Sequence, residues 1–371
     1  MSHPFQADGL PLLIGSLPVA DHGEAVKLVF EHTPQIPLWV QLPVYREEGM
    51  IAQFLPGMPG LVREKEKDFI ALDSPSLAGE LLQFYEEYLA VDENKAVPET
   101  GRFALTPESA RGFFVFMDHL KRLPEPPRAV KGQITGPLTF CTSVKDRQGK
   151  AIFYNEQLRD AAVKLLTLKA AWQVEKLSQF GCPVIIFLDE PALAGFGSSA
   201  LISISTDEIK NCLEEVIRVV HARGGLCGIH VCSNTDWSLV LESSIDIVSF
   251  DAYSHFDKFI LYRDQVRKFM ESGGILAWGI IPTLRAADIE KETAATLTRQ
   301  WQEKARKLTA LGLDSSRVLA QSLITPSCGT GTLSLDHAKK VLKLTKLVSQ
   351  RLRHDDNGQD HESLEERYDY S

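Results

Sequence analysis

Cysteine is sparse in this 371-residue chain, with six residues, Cys141, Cys182, Cys212, Cys227, Cys232 and Cys328, that lack the spacing of a disulfide framework. In a reducing compartment such thiols are buried apolar residues or metal ligands. A run of eighteen apolar residues is also missing, which leaves no candidate membrane-spanning helix. The start, "MSHPFQADGLPLLIGSLP", has neither the basic segment nor the small-residue cleavage site of a secretory signal, so a cytoplasmic protein is expected. Basic residues do not dominate: 40 Lys and Arg stand against 49 Asp and Glu, which argues against a nucleic-acid partner. Of the formal charge of -9, most lies in the tail "HDDNGQDHESLEERYDYS", where seven carboxylates meet one Arg. Residues 354–371 are therefore expected to form an acidic, disordered tail behind a nearly neutral body. No G-x-G-x-x-G follows the first candidate strand, which counts against a doubly wound dinucleotide-binding sheet.

Regular alternation, by contrast, is plentiful from Ala129 onward. Short β-rich runs ("AVKGQITGPLT", "PVIIFLDEP", "LCGIHVC", "IDIVSFDAY", "ILAWGIIPT", "VLAQSLITP") alternate with longer amphipathic segments. Several of these, such as "DEIKNCLEEVIRVVHARGG", open with acidic residues and stop at Gly. Strand-helix repetition predicts a parallel sheet. With "LPLLIGSLP" and "IPLWVQLP" the strand count reaches about eight, so the expected fold is α/β, a single (β/α)8 TIM barrel over residues 1–353. The stretch from about 52 to 127, with "PGMPG" and "RLPEPP", reads as helices and loops inserted near the N-terminus.

In such a barrel the functional groups sit at the C-terminal ends of the strands. Those ends carry Ser16, Thr135 with Gly136, Asp189 with Glu190, His230 with Cys232, Asp251, Pro282 with Thr283, and Ser327 with Cys328. His230 and Cys232 are two apart on an extended segment and leave the same face. Together with Cys328, and with Asp251 as a possible fourth ligand, they match the ligand types zinc takes. Singly, each has a structural alternative: a strand-end Cys is often a small buried hydrophobe, and Asp251 could instead cap the next helix.

These motifs resemble the catalytic barrel of cobalamin-independent methionine synthase and its relatives in the uroporphyrinogen decarboxylase-like superfamily, including zinc methyltransferases that take methyl groups from corrinoid proteins. The matching segments are "IGSLP", "ITGPLT", "LDEPAL", "HVC" and "PSCG". The resemblance implies zinc held by His230, Cys232 and Cys328, with Asp251 nearest the synthase's carboxylate ligand. It assigns Ile14, Gly15, Ser16 and Asp189, with Glu190 beside it, to the amino-acid part of a small thiol, homocysteine being the model. Asp189 is then the carboxylate for the substrate ammonium and the candidate catalytic residue. Without the resemblance, "LDEP" reads equally as a polar strand end that accepts N–H bonds and "IGS" as a tight turn. The synthase's second acidic anchor lies before a Met-x-x-x-Phe pattern, and alignment on Met50 in "YREEGMIAQF" brings Arg46 to that position, with Glu47 and Glu48 adjacent.

The implied activity is thiol S-methylation. Two departures from the folate-dependent synthase favour a methylcorrinoid donor, free or protein-bound: the second barrel-sized half has no counterpart within these residues, and Pro282 and Thr283 follow "ILAWGII" where the synthase has D-I-H. Cob(I)alamin leaves as a stable anion and needs no general acid, whereas a folate amine does; His255 is the other acid in range of sequence. Two alternatives stand beside this. A decarboxylase-like lyase would need no zinc, but its Arg-rich N-terminal motif is missing; a zinc-stabilised partner of a corrinoid protein would have a closed four-ligand site.

Overall fold

The computed structural model describes residues 5–64, 67–94, 96–196 and 203–355. The expected acidic tail thus lies, from residue 356, outside the described residues. Nine strands are present among them: β1 (Leu10–Pro11), β2 (Leu61–Arg63), β3 (Asp68–Ile70), β4 (Val130–Thr135), β5 (Val184–Asp189), β6 (Leu226–Val231), β7 (Ile247–Phe250), β8 (Ile275–Ile281) and β9 (Ser322–Pro326). Seven form one parallel sheet in the order β1-β9-β8-β7-β6-β5-β4. All residues of β4, β5, β6 and β8 are buried, as a parallel sheet covered on both faces requires.

The sheet curls so that its inner face encloses one core. Leu10, Ile36, Ala129, Phe187, Leu226, Ile247, Ala277 and Leu323, drawn from around the sheet and its edges, belong to a single buried cluster. Between the two edges of the sheet lies a segment without a ladder. Leu38 makes an isolated parallel bridge to Lys131 in β4, and Gln41 makes one to Ser16 beyond β1. The backbone bonds Lys131 N–H to Pro37 O and Gln41 N–H to Gly15 O, both 3.0 Å, tie the two edges through it. The strand expected at "IPLWVQLP" is reduced to these bridges because Pro37 and Pro43 carry no N–H to donate.

The insertion contains more than helices and loops. β2 and β3 form an antiparallel hairpin, followed by the helices Leu77–Asn94 and Arg111–Leu120. Phe113 of the second helix packs on Trp172 of the long helix Glu156–Ser178 and on Trp39 of the bridging segment, at ring separations of 5.0 and 5.9 Å. That long helix is buried nearly all round because the sheet lies on one side and the insertion on the other. Among the described residues no helix is long and apolar enough to cross a membrane.

Period-2 alternation sets what faces inward: Ile185, Phe187 and Asp189 share one face of β5, and Leu226, Gly228 and His230 share one face of β6. Phe187 pairs with Gly228, and a Cβ at 228 would lie 2.2 Å from the Phe187 ring. Gly228→Ala is therefore expected to destabilise the protein by about 1–3 kcal/mol, read as a lower denaturant midpoint at unchanged slope.

Candidate metal and thiol site

The inward-facing residues at the C-terminal ends of β5 and β6, and the turn after β9, open onto a cavity of about 330 Å³. Asp189, His230, Cys232 and Cys328 line it, together with Ile14, Gly15 and Ser16. A ring nitrogen of His230 and the Sγ atoms of Cys232 and Cys328 lie within 4.8 Å of one another. His230 Nδ1 is 3.0 Å from Ser249 Oγ on β7, whereas Nε2 is buried with no partner among the described residues. A buried imidazole nitrogen left bare beside two thiols is the donor set zinc takes, and the hydrogen bond at the other nitrogen is what orients a metal-binding imidazole. Burial, reinforced by the Lys131 charge, pushes the His230 pKa down to about 3, so the ring stays in the neutral form that binds metal. The Cys328 thiol hydrogen-bonds Cys232, which draws the Cys232 thiol down to about 7 and pushes Cys328 well up.

Asp251 stands outside this cluster of three. Its Oδ1 accepts the Ser254 N–H at 2.8 Å and caps the helix Ala252–Phe259. Its carboxyl is raised by burial, and the cap bond opposes that rise.

Asp189 lines the cavity with Oδ1 buried and unpartnered, a placement that suits a cationic group brought by a ligand. Burial raises its pKa to about 6, and the ammonium of Lys131 works against that rise. Glu190 is different. Its carboxylate accepts Leu138 N–H and Thr139 N–H, both at 2.8 Å, and the Thr139 hydroxyl at 2.6 Å, so it caps the first turn of the helix Pro137–Ser143. It is not among the residues lining the cavity, so of the two carboxylates in "LDEP" only Asp189 lines it. Gly136 makes room for this cap, since a Cβ there would fall 2.2 Å from the Glu190 carboxyl carbon.

Ser16 sits against two glycines of the turn after β9. Gly331 N–H donates to its Oγ at 3.2 Å, and Cβ atoms at Gly329 or Gly331 would lie within 3 Å of that oxygen. The end of β8 contributes no acid: Thr283 Oγ1 pairs with Ser327 Oγ at 2.9 Å.

Three polar lining or supporting residues stand outside the candidate set drawn from the sequence. Glu48 is buried and lines the cavity, while Arg46, the residue that alignment on Met50 selects, points outward to Asp68 at 3.1 Å. Gln41 also lines it, held by Gln53 at 2.7 Å. Lys131 lies beneath, fully buried, its Nζ 2.5 Å from Ile14 O. A lysine at an inward position of an apolar strand was a readable signal, because a buried charge needs a partner.

No family model matches the chain, and no curated protein matches it. Among solved structures, a B12-independent methionine synthase from Shewanella sp. W3-18-1 in complex with selenomethionine is 19% identical, with 66% of this chain and 68% of that chain covered, at a TM-score of 0.46. The tandem GH20 catalytic modules of a pneumococcal exo-beta-D-N-acetylglucosaminidase are 9% identical, with 93% and 85% covered, at a TM-score of 0.40. At these scores neither likeness assigns an activity.

Glu190→Gln would turn an amide NH2 toward backbone donors. It is expected to cost about 1–3 kcal/mol of stability while leaving thiol affinity unchanged, checked by denaturant melts and calorimetry on the same samples.

Proposed function

We propose that the protein is a zinc-dependent methyltransferase that moves a methyl group to the sulfur of a small amino-acid thiol, with homocysteine as the acceptor. The observation that carries this reading is the convergence of His230, Cys232 and Cys328 at the cavity wall, with His230 Nε2 bare. Zinc held there would supply the acidity that keeps a thiol ionised at neutral pH. Sulfur-rich ligation suits alkyl transfer to sulfur better than hydrolysis, and three protein ligands leave one position for the thiol.

The chain's own residues do the positioning. Ser249 fixes the His230 ring, Asp189 and Glu48 offer two carboxylates for the substrate ammonium, and the Ile14–Ser16 turn faces the substrate carboxylate. In this reading the curled sheet is a (β/α)8 barrel with the bridging segment as its second member. The donor proposed is a methylcorrinoid, whose carbon–cobalt electron pair leaves with the metal and calls for no proton. Support for this is local: the cavity lining holds one histidine, His230, and Thr283 is engaged with Ser327. A zinc-stabilised binding protein remains the second reading, and it requires a closed fourth position.

One zinc per chain is expected by metal analysis. Cys328→Ser should lose most of it, whereas Cys141→Ser, buried in the helix Pro137–Ser143, should retain it; equal retention would sink the metal assignment. With zinc-loaded protein, homocysteine should release about one proton on binding near neutral pH, counted by calorimetry in buffers of different ionisation enthalpy. Methionine should then form with methylcobalamin or a methylated corrinoid protein. Turnover with methyltetrahydrofolate alone would overturn the donor, and no effect of any thiol on the zinc's X-ray absorption would favour the binding-protein reading.

A further inference from the structure

Glu48 reaches the cavity from the end of a short 3-10 helix, Arg46–Glu48, not from a strand of the sheet, and a carboxylate placed there needs something to hold it. Both of its oxygens are engaged from one side. Leu42 N–H donates to Oε2 at 2.9 Å, and His22 Nε2 stands 2.6 Å from Oε1, with both side chains buried. A carboxylate only accepts, so His22 Nε2 carries the proton. The imidazole is itself fixed. Tyr45, which precedes the 3-10 helix that carries Glu48, stacks on it at 5.6 Å with an interplanar angle of 12°, and its hydroxyl donates to Ala20 O at 2.8 Å. On the other side Gly112 brings a helix close: a Cβ there would be 3.5 Å from His22 Cδ2 and 2.0 Å from Val40 O. His22 is therefore clamped, and the remaining lone pairs of Glu48 are left for the cavity it lines.

We infer that His22 is a positioning residue that holds the Glu48 side chain in the cavity wall as an acceptor for the ammonium group of the thiol substrate. This rests on the thiol-methyltransferase reading. Without the bond from His22, the glutamate would lose its orientation, and the ammonium would lose one of two acidic partners. The thiol and carboxylate ends of the substrate, bound elsewhere, would be unaffected.

Two thiols separate these contributions: homocysteine, and 4-mercaptobutyrate, which is the same molecule without its amino group. The probe is calorimetric Kd with full-length, zinc-loaded protein. His22→Leu is expected to weaken homocysteine about tenfold or more while 4-mercaptobutyrate changes less than about twofold, the scale of one hydrogen bond to a charged group. His22→Gln, whose amide can still donate toward Glu48, should recover most of the homocysteine affinity. His22→Asn, polar but short of Glu48, should repeat the split and serves if the Leu variant does not fold. Equal weakening of both thiols would mark His22 as merely structural and overturn the inference, as would unchanged homocysteine affinity. Wild-type protein that binds neither thiol would instead overturn the reading on which the inference rests.

Discussion

A lysine ammonium sealed inside the curled sheet ties the first strand segment to the strand that follows the insertion. Lys131 Nζ donates to Ile14 O, lies 3.4 Å from Gln133 Oε1 and sits 4.6 Å above the Phe187 ring. Desolvation lowers its pKa to about 8, and Asp189 works against that loss. The carbonyl and the carboxylate together make a buried cation tolerable, because an unpaired one would cost several kcal/mol. Two consequences follow from the single contact. Ile14 is held inward at the seam where only isolated bridges join the sheet edges, so Gly15 and Ser16 come to the cavity wall. The same charge opposes the burial that raises the Asp189 pKa, and it adds to the burial that already lowers that of His230. The seam and the cavity wall beside it thus share one buried side chain.

What the sequence made legible follows from strand geometry. His230 and Cys232 share a face because alternate residues of a strand do, and Cys328 joins them because parallel strands end at the same side of the sheet. Neither step needs long-range information. Asp251 and Glu190 show where such reasoning stops: strand-end carboxylates are also the natural caps of the helices that follow, and only the contacts to Ser254 and to Leu138 and Thr139 reveal which role each takes. The bridging segment was legible as an apolar run, but its prolines leave it too few donors for a ladder. Glu48 was hidden for another reason. Its neighbours Arg46 and Glu47 are equally polar, and which of the three turns inward is decided by Leu42 and His22, contacts no local pattern encodes.

The insertion, the part least regular in sequence, supports that segment. Thr135 at the end of β4 donates to Met50 O at 2.5 Å, and Gln53 hydrogen-bonds Ser109 O at 2.7 Å as well as accepting from Gln41. The segment around Glu48 is thereby fastened to β4 on one side and to the insertion on the other. Each cavity carboxylate then has a basic group behind it, Lys131 for Asp189 and His22 for Glu48. In both pairs both members are buried, and the acidic member is the one that lines the cavity. At an effective dielectric constant of about 20, a cation about 4 Å from one such carboxylate gains roughly 4 kcal/mol before desolvation is counted. A thiol that carries an ammonium group can use that field, and a bare alkanethiol cannot. Selectivity for an amino-acid thiol would then come from the wall charges, leaving the sulfur ligands free to serve any thiol equally.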